Sequence, residues 1–188
     1  MKPTNPGVKL TYDDFVLFPD DGQRHELIDG EHHVTPSPNK THQQILGDLH
    51  GPLWAFLQAH PIGRVFLGPF DVVFSHYDVV EPDLLYMSNE TAGRVLTLHH
   101  VRGTPDLVVE IGSPGTRKRD ETIKRTLCER SGVVEYWFID PDGGVVRIYR
   151  NEGGKFQPAL QLSLESGDML TSRLLPGFEL ALARLFRE

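Results

Sequence analysis

The 188-residue chain has one cysteine, Cys128, so no internal disulfide can staple it and no CxxC pair can hold zinc. Cys128 falls inside a helical pattern and is expected to be a buried structural thiol. Long apolar runs are missing: "VVEYWFI" is far short of the about 20 residues that cross a bilayer. The opening "MKPTNPGVKL" lacks the apolar core of a secretory leader, so a soluble cytoplasmic protein is expected, with no membrane partner. Neither GxxxxGK[ST] nor GxGxxG occurs, which argues against a phosphate-loop nucleotide site, and "GSPG" lacks the flanks of a nucleophile elbow. None of the nine histidines has ligand spacing for zinc. With Trp54 and Trp137 as the only tryptophans, aromatic platforms for a sugar are thin, and two-carboxylate glycoside hydrolysis ranks last. Cations are also scarce: 19 Lys and Arg against 26 Asp and Glu give a net charge of -7, which argues against coating of nucleic acid but permits a local basic patch.

What remains is an ordinary globular composition of a length suited to one domain, 1–188, around one core. Thr11 and Asp14 before "FVLF" resemble a capping box, which opens a short helix. "HELIDGEHHV" alternates around Asp29-Gly30, predicting a hairpin over 24–35. Ser37-Pro38 then supplies a helix start, and Ile45, Leu49, Leu53, Phe56 and Leu57 predict an amphipathic helix over 38–59, with Gly51-Pro52 a place for a kink. Three β-rich runs follow, "GRVFLGPFDVVFS", "VVEPDLLYM" and "PDLVVEI". After them come a helix "RKRDETIKRTLCERS" stopped by Gly132, a hairpin "VVEYWFID"/"VVRIYR", a strand in "GKFQPALQLSL" and a closing helix in "LPGFELALARLF". The order predicts an α/β fold with a mixed sheet.

The apolar run "DLVVEI" ends on a carboxylate, Glu110. Asp106, four residues earlier on that strand, lies roughly 13 Å away at about 3.3 Å per residue, too far to share a metal ion. Asp83 opens a different strand, and adjacent strands are only about 4.8 Å apart, so Asp83 and Glu110 can converge if their strands are neighbours. An oxygen pair of this kind suits Mg²⁺ or Mn²⁺ better than zinc. Alternatively, each acid is a strand cap or half of an ion pair. In the following helix, stepping about 100° per residue from Asp120 puts Ile123 at about 300°, Leu127 at about 340° and Lys124 at about 40°, so Lys124 borders the buried stripe. Such a lysine can orient water or neutralise a phosphoryl transition state; its plainer role is an i,i+4 pair with Asp120. Arg117, Lys118 and Arg119 begin that helix, where cations oppose the macrodipole, as if phosphate lay in front of them; an exposed solvated turn is the other reading.

The layout "EPDLLYM", "PDLVVEIGSPGTRKRD" and "TIKRTLCERSGVVEYWFID", with "HELIDGE" before it, His42 leading the long helix and "LPGFELALARLF" after, resembles the Uma-two family. That family is a branch of the PD-(D/E)XK, restriction-endonuclease-like nucleases. The resemblance implies a core over about 38–140 of helix, three strands, helix and strand, with an N-terminal hairpin and a C-terminal extension. It implies Asp83 and Glu110 as holders of one or two divalent ions and Glu26 as a further acid near the metal. Gly112 stands where the superfamily's usual lysine belongs, and Lys124 matches the position to which that lysine has moved. DNA as substrate and a homodimer, which cutting both strands of a duplex usually needs, are family-level expectations. Two functions follow: a metal-dependent endonuclease hydrolysing DNA phosphodiesters, or a catalytically inactive nuclease-like module that binds nucleic acid or a protein partner.

Overall fold

The computed structural model describes residues 8–19 and 21–187. Helix α1 (Tyr12–Phe15) carries the expected capping box: the Thr11 side chain accepts from the Asp14 N–H, and the Asp14 carboxylate accepts from the Thr11 N–H at 2.8 Å. The hairpin follows as β1 (Arg24–Ile28) and β2 (Glu31–Thr35). Its turn residues Asp29 and Gly30 both have positive φ, 53° and 74°, as a two-residue turn matched to strand twist requires. Helix α2 (Lys40–Ala59) begins later than the sequence suggests, because Asn39, not Ser37, is the cap; its Oδ1 accepts from the His42 N–H at 2.9 Å. The helix passes through Gly51 and Pro52 as one element.

Two of the β-rich runs divide at proline, which lacks the donor a ladder needs. The first gives β3 (Gly63–Leu67) and β4 (Val72–Ser75); the second gives β5 (Asp78–Val80) and β6 (Leu84–Ser88), broken at Pro82-Asp83. Next come two elements that no periodicity marked, α3 (Asn89–Val95) and the short β7 (Val101–Arg102), and then β8 (Leu107–Ile111). The helix after Glu110 is composite: α4 (Arg117–Arg119), a π-helical turn over Asp120–Lys124, and α5 (Arg125–Arg130). β9 (Glu135–Asp140) and β10 (Val145–Glu152) form the expected hairpin. "GKFQPALQLSL" holds two strands, β11 (Lys155–Phe156) and β12 (Leu160–Ser163). The C-terminal run, expected as helix, is chiefly β14 (Leu175–Ala181), paired with β13 (Met169–Ser172). Only one turn, α6 (Leu182–Leu185), is helical. There Phe178 and Leu180 are buried and Glu179 is exposed, so the period of two prevailed.

The central sheet runs β11-β10-β9-β8-β6-β3, with β12 also on β10; only β8 and β9 within it are parallel. A second sheet, β2-β1-β5-β4-β7, lies apart from it in the hydrogen-bonding order. Alternation along the strands sorts the packing. Leu84 and Tyr86 of β6, with Leu107, Val109 and Ile111 of β8, pack with Ile45, Leu49, Leu53 and Leu57 of α2. Leu85 and Met87 point the other way and meet Ile28 of β1 and Leu127 of α5. Asp83 and Glu110 share that second parity, so both acids lie between the central sheet and the layer formed by β1 and the composite helix. No helix among the described residues is long and apolar enough to cross a membrane.

Candidate metal and phosphate site

β6 and β8 are antiparallel neighbours with Leu84 opposite Val109, and carrying that register one residue further, to the bend just before β6, brings Asp83 to Glu110; Asp83 Oδ2 accepts from the Ile111 N–H at 2.8 Å. Side chains directly across an antiparallel pair have Cβ atoms about 4.5 to 5.5 Å apart, the convergence that the adjacency of these strands would give. Asp106 is elsewhere: its carboxylate accepts from the Ser88 N–H at 2.6 Å and the Thr91 hydroxyl at 2.9 Å, bracing the start of α3.

Lys124 is deeper than the sequence reading placed it. It is 3% exposed, and its Nζ lies 2.5 Å from Glu110 Oε1 and 2.8 Å from Glu26 Oε1. Ile123, placed in the buried stripe by a uniform step of about 100°, is instead 44% exposed. The π-turn explains both. Its i→i+5 bonding adds a residue to one turn, which changes the angular order and turns Asp120 and Lys124 inward together. Tyr136 secures the turn by donating its hydroxyl to the Asp120 carbonyl at 2.8 Å.

Glu26 reaches the cluster because "RHELI" alternates. Arg24, Glu26 and Ile28 share one parity, while Leu27 packs with Val73 and Val79. Glu26 is 1% exposed; its Oε1 also accepts from the Glu81 N–H at 3.0 Å, and Arg119 lies 3.5 Å from its Oε2. Glu26 thus holds Lys124 from the hairpin side.

Two partners of Asp83 were not identified from the sequence. Arg24 Nη1 donates to Asp83 Oδ1 at 2.8 Å, and His42 Nε2 lies 3.0 Å from Oδ2, which also accepts from the Ile111 N–H at 2.8 Å. They are separated from Asp83 by 59 and 41 residues, and no spacing rule connects them. His42 stood out in the sequence only as the residue leading the long helix in the family layout, with no partner attached to it. Arg24 also donates to the Glu81 carbonyl and lies 3.6 Å from the Glu81 carboxylate.

Gly112 has a steric reason. A Cβ there would meet Phe138 Cζ at 2.6 Å, so a lysine cannot stand two residues after Glu110 unless that ring moves. The three cations at the helix start are divided. Arg117 pairs with Asp140 and lies 3.6 Å from Glu121; Arg119 donates to Thr35 Oγ1 at 2.5 Å and lies near Glu26; exposed Lys118 makes no ion pair among the described residues.

The electrostatics separate the two central acids. Burial would raise Asp83, but the His42 hydrogen bond and the Arg24 charge outweigh it and hold the carboxyl at about 2. Burial pushes Glu110 well above the carboxylate range; Lys124 opposes this, while Asp83, Asp120 and Glu26 add to it. Lys124 is raised, because Glu110, Glu26 and Asp120 outweigh its own desolvation, so it remains an ammonium ion. Burial, with Asp71 adding to it, also lifts Glu81 to about 7. Three carboxylates, Asp83, Glu110 and Asp120, and three cations, Arg24, Arg119 and Lys124, line the same pocket.

The donor set fits a hard divalent cation. No donor reaches buried Glu110 Oε1 with hydrogen-bond geometry, despite the Lys124 ion pair. The three donors on Asp83 leave about one of its four lone-pair sites open. Among the described residues no cluster of three or more His, Cys, Asp or Glu forms a metal cage. Mg²⁺ commonly uses only one or two carboxylates, completed by water and phosphate oxygens. Asp83, Glu110 and Lys124 line one cleft of about 190 Å³, roofed by the segments 35–39 and 113–116.

No curated protein matches the chain. A solved structure described as a "putative nuclease belonging to DUF820" from Anabaena variabilis ATCC 29413 superposes with a TM-score of 0.79 at 22% identity, covering 94% of this chain and 97% of that one. The likeness shows a mixed α/β, restriction-endonuclease-like fold. A family model described as "Putative restriction endonuclease" extends from Tyr12 in α1 to Ala183 in α6, and across residues 12–183 the chain belongs to the Uma2 family.

Proposed function

We propose that the chain is a metal-dependent endonuclease that hydrolyses DNA phosphodiesters. The supporting observation is the facing of Asp83 and Glu110 across adjacent strands, with the Lys124 ammonium 2.5 Å from Glu110 in the same cleft. Asp83 and Glu110 would hold Mg²⁺ or Mn²⁺, and a bound cation would supply charge stabilisation at the phosphate and a more acidic water. Lys124 keeps its proton, so it acts as a fixed positive charge beside the phosphoryl oxygens and not as a base. Glu26 positions that ammonium from the hairpin, while Arg24 and His42 orient the Asp83 carboxylate. Arg119 at the cleft and Lys118 beyond it are the cations assigned to the nucleic-acid backbone; Arg117 is committed to Asp140.

A non-cutting module is the second reading. It is favoured by the internal neutralisation of Glu26 and Glu110 by Lys124, which gives the acids a structural partner without a metal. The decisive experiment is cleavage of supercoiled and linear DNA by wild-type protein in Mg²⁺, Mn²⁺ or EDTA, beside Asp83→Asn and Glu110→Gln. Cutting that needs the metal and disappears in both folded variants supports the nuclease. Absence of cutting together with absence of calorimetric cation binding sinks it in favour of the binding module.

A further inference from the structure

The depth of the acids and the chemistry of the rim bear on which DNA can reach them. Asp83 and Glu110 are 4% and 3% exposed, at the bottom of a cleft of about 190 Å³. Pockets that enclose a drug-sized ligand run to about 300–1,000 Å³, so this one has room for a phosphodiester and part of its sugars but not for a base pair. Two loops line it, "PSPN" at 36–39, between β2 and α2, and "SPGT" at 113–116, between β8 and α4, with Pro36, Ser37, Asn39, Pro114 and Gly115 exposed. Neither segment contains a Lys or Arg, and three prolines stiffen them.

A continuous duplex could bring a phosphate to these acids only if both segments entered its grooves, about 12 and 6 Å wide, and so came up against flanking phosphates. Neutral segments offer hydroxyl, amide and backbone N–H donors but no positive charge to neutralise those phosphates. Of the cations just behind them, Arg117 is committed to Asp140 and Glu121, which leaves only Arg119, partly held by Glu26 and Thr35, and exposed Lys118. Duplex affinity depends on several neutralised phosphates, and the chain's net charge of -7 opposes them at long range. A single strand has no groove to fit. It can turn one phosphodiester inward while its sugars and bases lie on the proline faces, with Arg119 and Lys118 meeting the adjacent phosphates.

Building on the nuclease reading, we infer that the substrate of this site is single-stranded DNA, free or as an unpaired flap or overhang, and not continuous duplex. One unpaired strand presents one scissile bond at a time, so a single chain suffices for the cut.

The test uses wild-type protein and one oligonucleotide sequence in three forms: single strand, blunt duplex, and duplex with an unpaired 3′ tail. Binding is read by fluorescence anisotropy in EDTA across a salt series, and cutting in Mn²⁺. The expected result is at least about tenfold tighter binding and faster cutting of the single strand and tail, with a salt slope for no more than about three neutralised phosphates. Equal or better binding and cutting of blunt duplex overturns the inference while leaving the nuclease intact. Single-strand preference in EDTA without cutting of any form overturns the nuclease and upholds the strand class for a binding module. Failure to bind or cut any form overturns both.

Discussion

On the α2 side of β8, Leu107, Val109 and Ile111 are fully buried among hydrocarbon; on the other side Glu110 is as well hidden among Lys124, Asp83 and Glu26. Burial is the same on both faces and the chemistry is opposite. The apolar face gains from every methylene it removes from water. The charged face must recover the desolvation of its ions through their mutual contacts, and buried ion pairs often do no better than hydrophobic replacements. Its presence is therefore better explained by what the charges do than by what they add to stability. The two faces share strands only one residue out of phase, so their contributions can be separated by substitution.

The largest effect should come from the charged face. Glu110→Gln should lower metal-dependent cutting by more than the roughly hundredfold typical of a residue that merely braces a ligand. Thermal melting of the variant should stay near wild type, because Glu110 is already biased toward its neutral form by burial. A large drop in melting temperature would mean that the carboxylate is structural.

Lys124→Met should cost about 3–5 kcal/mol in denaturant unfolding, since it leaves buried Glu26, whose carboxyl Lys124 holds below its usual range, without its cation. Combining it with Glu26→Gln should recover part of that loss. If the double variant is no more stable than the single, the two groups are not coupled.

On the apolar face, Leu49→Ala should cost about 2–5 kcal/mol of stability, with cutting per folded molecule retained. Selective loss of cutting at temperatures where the variant remains folded would show that the faces are not independent.

A smaller effect is the pH response in metal-free buffer. Glu110 has a folded pKa above its unfolded 4.5, so the folded state holds the proton longer and loses stability as pH rises above that value. Asp83 has the opposite sign: its contribution is present above 3.8 and is lost as pH falls through about 2. Glu110→Gln should flatten the decline above pH 4.5, and Asp83→Asn should flatten the acid limb; an unchanged profile in either variant refutes that assignment. The smallest effect belongs to Ile123→Glu, expected within about 0.5 kcal/mol of wild type in a chemical melt because Ile123 faces solvent beside the π-turn. A loss of several kcal/mol would restore it to the buried stripe.

The residues that local chemistry constrains were legible. Thr11 with Asp14, Asp29-Gly30 and Gly132 each satisfy a short-range backbone requirement, and each stands where the pattern placed it. Asp83 and Glu110 were legible for a related reason: a carboxylate beside an apolar strand is conspicuous, and the spacing of adjacent strands then limits which acid can join it. Arg24 and His42 were hidden because their meeting with Asp83 is tertiary and leaves no periodic trace. The exposure of Ile123 was misjudged because a uniform helical step cannot anticipate a π-turn. The C-terminal strand was mistaken for helix because "FELALARL" satisfies both periods over so short a span, and pairing with β13 decided between them.

The path of Lys124 through the chain also bears on the order of assembly. Its partners are Glu26, 98 residues earlier, and Glu110, 14 residues earlier, so the triad joins the hairpin, the central strands and the composite helix. A ribosome that has released the chain through β8 has delivered both central carboxylates and the hairpin, but not the ammonium that neutralises them. Until the segment 117–130 emerges, desolvating that face of the sheet would bury unpaired negative charge. The apolar face can begin to collapse onto α2 before then, whereas the charged face has to wait, solvated or protonated, for the helix that completes it.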